Sequence, residues 1–211
     1  VQPKMVYISN PTEVGTIYSK AELTALSETC HKYGLYLFLD GARLGYGLAA
    51  PDNDLTLPEI AALCDVFYIG GTKVGALFGE AVVIKNPELA QDFRYLIKQN
   101  GGMLAKGRLL GLQFDALFTD GLYQEISAHA IAMAEKLREA FTAKGYNYLA
   151  PNRTNQIFVI VPDAHLAKIS EQFEYSYDQR IDATHSCVRF CTSWATKEEN
   201  VDALIRCVEK L

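Results

Sequence analysis

Two residues of opposite charge, Asp40 and Lys73, each stand behind a short apolar run, and together they frame the chemistry open to this chain. Asp40 ends Tyr36-Leu37-Phe38-Leu39 and leads into Gly41-Ala42-Arg43. Lys73 follows Val66-Phe67-Tyr68-Ile69 after Gly70-Gly71-Thr72. In open α/β sheets, ligands bind outside the carboxyl ends of the strands. The two residues lie 33 positions apart, about one βαβ crossover, so both side chains are expected on the same rim. A lysine near apolar strand ends has its ammonium desolvated, which lowers its pKa and frees the amine to form an imine. A carboxylate set against an aromatic ring nitrogen keeps that nitrogen protonated, and the ring then accepts the electrons of a broken bond. A third candidate, Arg189, belongs to Cys187-Val188-Arg189-Phe190-Cys191. Strand alternation puts it on the small-residue face, opposite Val188 and Phe190, which suits an inward anion site. Plainer readings stand beside these: Asp40 as the cap of an Asp-Gly turn, Lys73 as a solvated lysine, Arg43 as partner of a surface carboxylate.

The elements that must position these residues are legible. Met5-Val6-Tyr7-Ile8 reads as a strand leading into the turn Ser9-Asn10-Pro11-Thr12. Ser19 and Glu22 form a capping box before a helix with Leu23, Leu26, Cys30 and Tyr33 on one face, closed by Gly34. Thr56 and Glu59 form a second box. Ala81-Val82-Val83-Ile84 reads as another strand, and Asn86-Pro87 opens a helix bearing Leu89, Phe93, Leu96 and Ile97. Uniformly apolar strands separated by helices indicate an α/β class, with a mostly parallel sheet covered on both faces. Helical tracts follow over 103–118 and 120–145, the latter with Ile126, Ala130, Met133, Leu137 and Phe141 as its stripe. The strands 156–161 and 187–191, a helix over 164–173 and a terminal helix capped by Thr196 and Glu199 complete a compact α+β annex.

Composition narrows the function. A net charge of -5 without a Lys/Arg cluster argues against a nucleic-acid surface and for a small-molecule substrate. No apolar run is long enough to span a bilayer. The five cysteines lack CxxC spacing and read as reduced thiols of a cytoplasmic protein; no histidine pairs with them at zinc-ligand spacing. His129 falls on its helix's apolar stripe and reads as a core histidine, His31 as surface, and His185 as outside the site. Gly45-Tyr46-Gly47 imitates a dinucleotide fingerprint but runs into Pro51 where a helix should open, and it is discounted.

Four ordered segments, Asp40-Gly41-Ala42-Arg43, Gly71-Thr72-Lys73, Asn100-Gly101-Gly102-Met103 and His185-Ser186-Cys187-Val188-Arg189-Phe190, resemble the threonine aldolase and aromatic amino acid β-eliminating lyase family. The resemblance implies a fold type I enzyme dependent on pyridoxal 5'-phosphate (PLP), with a large domain of the aspartate aminotransferase type. Residues 1–122 would be the C-terminal part of that PLP-binding domain and residues 123–211 the small α+β domain. It implies that Asp40 pairs with the pyridine nitrogen, that Lys73 is the Schiff-base lysine, that Arg43 approaches the phenolic oxygen or the substrate, and that Asn10 partners that same oxygen. Thr72 would donate to the phosphate, and Arg189 would clamp an amino-acid carboxylate through a bidentate fork. The implied reaction is retro-aldol cleavage of a β-hydroxy-α-amino acid to glycine and an aldehyde. Alternatives are β-elimination, or a non-catalytic fragment of a PLP fold. A homo-oligomer, dimer or tetramer, is implied as well. Leu104 departs from the family pattern, standing where related aldolases carry an arginine, with Lys106 and Arg108 nearby. The chain opens on Val1 directly before a strand, which predicts further sequence upstream. In the family that upstream stretch holds the first strands, phosphate-cradling residues and the side chain stacked on the pyridine ring; without it the sheet is expected to expose an edge and an apolar face.

Overall fold

The capping chemistry read from the sequence sets the first helices. The Ser19 hydroxyl accepts the amide of Glu22 while the Glu22 carboxylate takes the amide of Ser19, and Thr56 with Glu59 repeats the exchange. In the computed structural model, which describes residues 1–211, the chain runs β1 (Met5–Ser9), α1 (Lys20–Lys32), β2 (Tyr36–Asp40), α2 (Leu44–Leu48), α3 (Leu57–Leu63), β3 (Val66–Gly70), β4 (Glu80–Ile84), α4 (Pro87–Ala90), α5 (Phe93–Gln99), α6 (Arg108–Phe118), α7 (Leu122–Ala143), β5 (Asn147–Tyr148), β6 (Gln156–Pro162), α8 (Asp163–Ile169), β7 (Ser176–Arg180), β8 (His185–Cys191) and α9 (Glu198–Glu209). No helix is long and apolar enough to cross a membrane.

The strands form two sheets. The first has the order β1-β2-β3-β4; β1, β2 and β3 are parallel, and β4 returns antiparallel to β3. Ile8, Leu37, Leu39, Phe67 and Ile69 bury one face beneath Leu23, Cys30 and Ile60 of the helices. The other face is open. It carries Met5, Tyr7 and Val82 exposed, with Phe38 and Tyr68 half-buried, so the two-sided cover expected from uniformly apolar strands is absent and an apolar face is exposed. β1 and β4 are the edge strands. The second sheet, β5-β6-β8-β7, is wholly antiparallel and packs against α7, α8 and α9. Helix α7 serves both cores: Tyr123, Ala130 and Ile131 join the first, and Met133, Ala134, Leu137 and Phe141 the second.

Several local expectations are corrected. The helix opened by Asn86-Pro87 breaks where Asp92 turns to φ 57°, which separates α4 from α5. The tract expected from Met103 becomes helical only at Arg108, and the helix from Asp163 ends at Ile169. Thr196 does not cap the last helix: its hydroxyl accepts the amide of Ser193, and α9 begins after Lys197 with no side-chain cap. Strands β5 and β7 had no signal, because one spans two residues and the other is polar and exposed throughout.

The contact that fixes the rim lies between two glycines. The Gly70 amide donates to the Gly41 carbonyl at 2.8 Å. A Cβ on Gly41 would stand 2.0 Å from the Tyr68 carbonyl oxygen, and one on Gly70 would stand 2.2 Å from that of Ala42. Both neighbours are backbone, which cannot rotate away. Gly41→Ala should therefore cost at least about 2 kcal/mol, as overpacking does. Gly34→Ala should cost only about 1 kcal/mol, for its left-handed backbone alone, because nothing lies within 4 Å of its added carbon at φ +65°. Urea unfolding midpoints of the two variants provide the comparison.

Candidate functional site

Asp40 is the last residue of β2, and its carboxylate lies on the same sheet face as Phe38. One oxygen accepts the Tyr7 hydroxyl; the other accepts the Ala42 amide at 2.9 Å. Burial acts to raise this carboxyl, but the hydroxyls of Tyr68 and Tyr7, the Ala42 amide and the charge of Lys73 together hold it below the usual carboxylate value. Asp40 ends β2 and Lys73 follows β3, its parallel neighbour, so both stand at the same end of the first sheet.

Lys73 itself is exposed. The desolvation expected from a place behind an apolar strand is absent, because Gly70-Gly71-Thr72 carry it beyond the strand's cover. Its backbone is nevertheless firmly held. The Gly71 amide donates to the Glu80 carboxylate at 2.6 Å, and the buried Tyr46 hydroxyl donates to the Lys73 carbonyl. That hydroxyl also accepts the amide of Trp194 at 3.3 Å, tying the segment after β8 to the lysine loop. Burial pushes the Tyr46 phenol up, so it remains a donor. Tyr123, from α7, accepts the Gly45 amide and donates to the Gly70 carbonyl, both at 3.1 Å.

Arg189 sits opposite Phe158 in the β6–β8 register, with its guanidinium carbon 5.9 Å from that ring's centre. One terminal nitrogen donates to Gln156 at 3.3 Å, while Nε is buried with no partner. An unengaged buried guanidinium N–H is costly unless an anion completes it. Arg43, half-buried at the start of α2, and Arg189 both act on Cys191; partial enclosure raises that thiol, and the two guanidinium groups oppose the rise. The Trp194 amide bond to Tyr46 joins the segment after β8 to the helix that follows the β2 rim.

The remaining candidates fall close by. Asn10 is buried; its amide donates to the Asp40 carbonyl at 2.9 Å, and its side-chain oxygen takes the Tyr18 amide at 3.2 Å. Thr72 is exposed and directs its hydroxyl at the Gly79 carbonyl, 3.4 Å away. His129 is no core residue: it is exposed and contacts the Thr196 carbonyl at 2.7 Å. His185 pairs with Asp182 at 3.1 Å. Sequence reasoning missed the four tyrosines, Tyr7, Tyr46, Tyr68 and Tyr123. Three lie within apolar runs or stripes that signal packing, and Tyr46 was set aside with the false fingerprint; no local pattern marks a phenol that must reach across the fold.

A carboxylate held ionised at the end of β2, a primary amine just past β3 and a guanidinium with a free buried donor on β8 fit PLP and an amino-acid substrate. A family model described as beta-eliminating lyase matches residues 1–164. The chain belongs to that family. Beta-eliminating lyases are PLP-dependent enzymes. The chain is 33% identical over 207 residues to a low specificity L-threonine aldolase of Pseudomonas sp., covering 96% of this chain and 58% of that protein. A Leishmania major threonine aldolase structure superposes with a TM-score of 0.97 at 45% identity, covering all of this chain and 61% of the other. A Thermus thermophilus aspartate aminotransferase variant shares the fold, with a TM-score of 0.70 at 17% identity. The chain therefore spans about three fifths of the length of its aldolase relatives.

Because the folded-state pKa of Asp40 is depressed, its ionisation stabilises the fold above the unfolded carboxylate value of about 3.9, and this stability is lost as pH falls through the lower folded value. Asp40→Asn should flatten that acid limb of the stability–pH curve and leave the slope above pH ~5 unchanged, as thermal melts across pH will report.

Proposed function

We propose that this chain supplies the lysine, the ring-nitrogen carboxylate and the substrate-carboxylate clamp of a PLP-dependent lyase that cleaves a β-hydroxy-α-amino acid to glycine and an aldehyde. The observation that carries this reading is the placement of Asp40 at the end of β2 and of Lys73 just past β3, its parallel neighbour, at the same end of the sheet. The threonine aldolases among its relatives support the substrate class. Bound PLP supplies an electron sink conjugated to the substrate α-carbon.

The chain's own residues supply the rest. Lys73 offers the amine that holds the cofactor aldehyde and gives way to the substrate amine. Asp40 keeps a proton at the ring nitrogen. Arg189, with a buried N–H unengaged, takes the substrate carboxylate in a fork that lysine cannot reproduce. Arg43 and Asn10 serve the phenolic oxygen and Thr72 the phosphate. Residues 1–122 form the cofactor-binding part and residues 123–211 the small domain bearing Arg189. Free cysteines at all five positions support a cytoplasmic setting, and a homo-oligomer follows from the family resemblance alone.

The family model favours one second reading, β-elimination, which the same residues can serve. Products separate the two: glycine and acetaldehyde from allo-threonine, or a 2-oxo acid and ammonia from an amino acid with a β-leaving group.

The full chain with PLP should show visible absorbance that borohydride removes while fixing the cofactor covalently on Lys73, located by mass spectrometry. Lys73→Ala should abolish both absorbance and turnover; a variant that retains them removes the assignment. Arg189→Lys should raise KM for the amino acid roughly 10-fold or more, the loss of a charged hydrogen bond, with a smaller change in kcat.

A further inference from the structure

We infer that Tyr7, with Tyr68 beside it, is a positioning residue for Asp40: its hydroxyl fixes one carboxylate oxygen, so that the acid presents an ionised and rotationally fixed edge to a ring nitrogen. The inference rests on the reading of Asp40 proposed above.

Register and stacking place the hydroxyl. Tyr7 pairs with Phe38 across β1 and β2, and Asp40 follows two residues along on the same face. The Tyr7 ring stacks on Phe38, with centroids 5.3 Å apart and planes at 12°, and Phe38 meets Tyr68 edge-on at 6.2 Å. Two residues of strand advance about 6.6 Å, roughly the reach of a tyrosine side chain lying along the sheet, and its hydroxyl arrives at the Asp40 carboxylate. The Ala42 amide holds the second oxygen from the turn. Rotation of the carboxylate would break both bonds.

The groups facing Asp40 are all donors or cations: Tyr7 from β1, Tyr68 from β3, the Ala42 amide from its own turn and Lys73 from the following loop. The charge of Glu13 adds slightly to the rise of the Tyr7 phenol. The bond to Asp40 raises the Tyr7 phenol, so its proton stays on tyrosine and the charge stays on the acid. Packing does not explain the hydroxyl. Tyr7 is 53% exposed, and phenylalanine would stack on Phe38 equally well.

The test uses the full chain and Tyr7→Phe, with Tyr68→Phe as a second variant and circular dichroism to confirm folding. Carbon-13 carboxyl NMR of the cofactor-free chain should show the Asp40 titration midpoint rise by roughly half a unit to one unit in Tyr7→Phe, the loss of one hydrogen bond to a charged group. Dissociation constants are then measured for PLP and for its carbocyclic analogue, in which C–H replaces the ring nitrogen. Tyr7→Phe should weaken PLP about 5-fold and leave the analogue unchanged. An unmoved midpoint, or equal weakening of both ligands, overturns the inference and assigns Tyr7 a structural part only. Wild-type chain that prefers PLP no more than Asp40→Asn does would instead overturn the role given to Asp40, while the NMR midpoint still decides whether Tyr7 holds that acid.

Discussion

The closest constraint in the molecule is the approach of two backbone segments at Gly41 and Gly70, and the site is organised around it. Neither position has room for a single carbon, because a Cβ on either would overlap a main-chain carbonyl. Main chain packed on main chain cannot adjust by changing rotamers, so the turn after β2 and the turn after β3 behave as one rigid piece. The buried phenols of Tyr123 and Tyr46 complete it. Tyr123 bridges the Gly45 amide and the Gly70 carbonyl, and Tyr46 bridges the Lys73 carbonyl and the Trp194 amide. Reactive side chains are thereby carried on backbone whose position no loop motion sets.

A second set of bonds joins the two sheets. The loop after β1 is held by the buried polar residues just before and within β6: Asn152 donates to the Val14 carbonyl at 2.8 Å, and Thr154 donates to that of Gly15 at 2.9 Å. Gly15 has φ +81°, and a Cβ there would meet the Thr154 hydroxyl at 2.7 Å. Gln156, in the same stretch, accepts from Arg189. The segment that bears Asn10 and the strand that bears Arg189 are thus tied to one polar belt, and Arg189 cannot drift independently of the rim. Within this frame satisfaction is uneven. Asp40 has both oxygens engaged, whereas Arg189 keeps one buried donor unengaged.

Much of this was legible in the chain. The two capping boxes, the strand cores and the residues Asp40, Lys73 and Arg189 follow from local patterns, since caps and strand ends depend on neighbours only a few residues away. The order of four motifs carried the family. The helix break at Asp92 and the start of α9 after Lys197 were hidden, because each rests on a single backbone conformation with no compositional mark.

The sequence by itself determined which residues stand at the strand ends, and therefore that an acid and an amine share a rim, because parallel neighbours must present their carboxyl ends together. Only the tertiary structure decided how those residues are held. Tyr7 reaching Asp40 along the sheet, Tyr46 joining the lysine loop to the segment after β8, and the exposure of Lys73 depend on contacts across 33, 27 and 148 positions, or on the absence of cover. Periodicity reports which face of an element is apolar. It carries no record of what lies against that face, which is why strands apolar on both sides have one side open here.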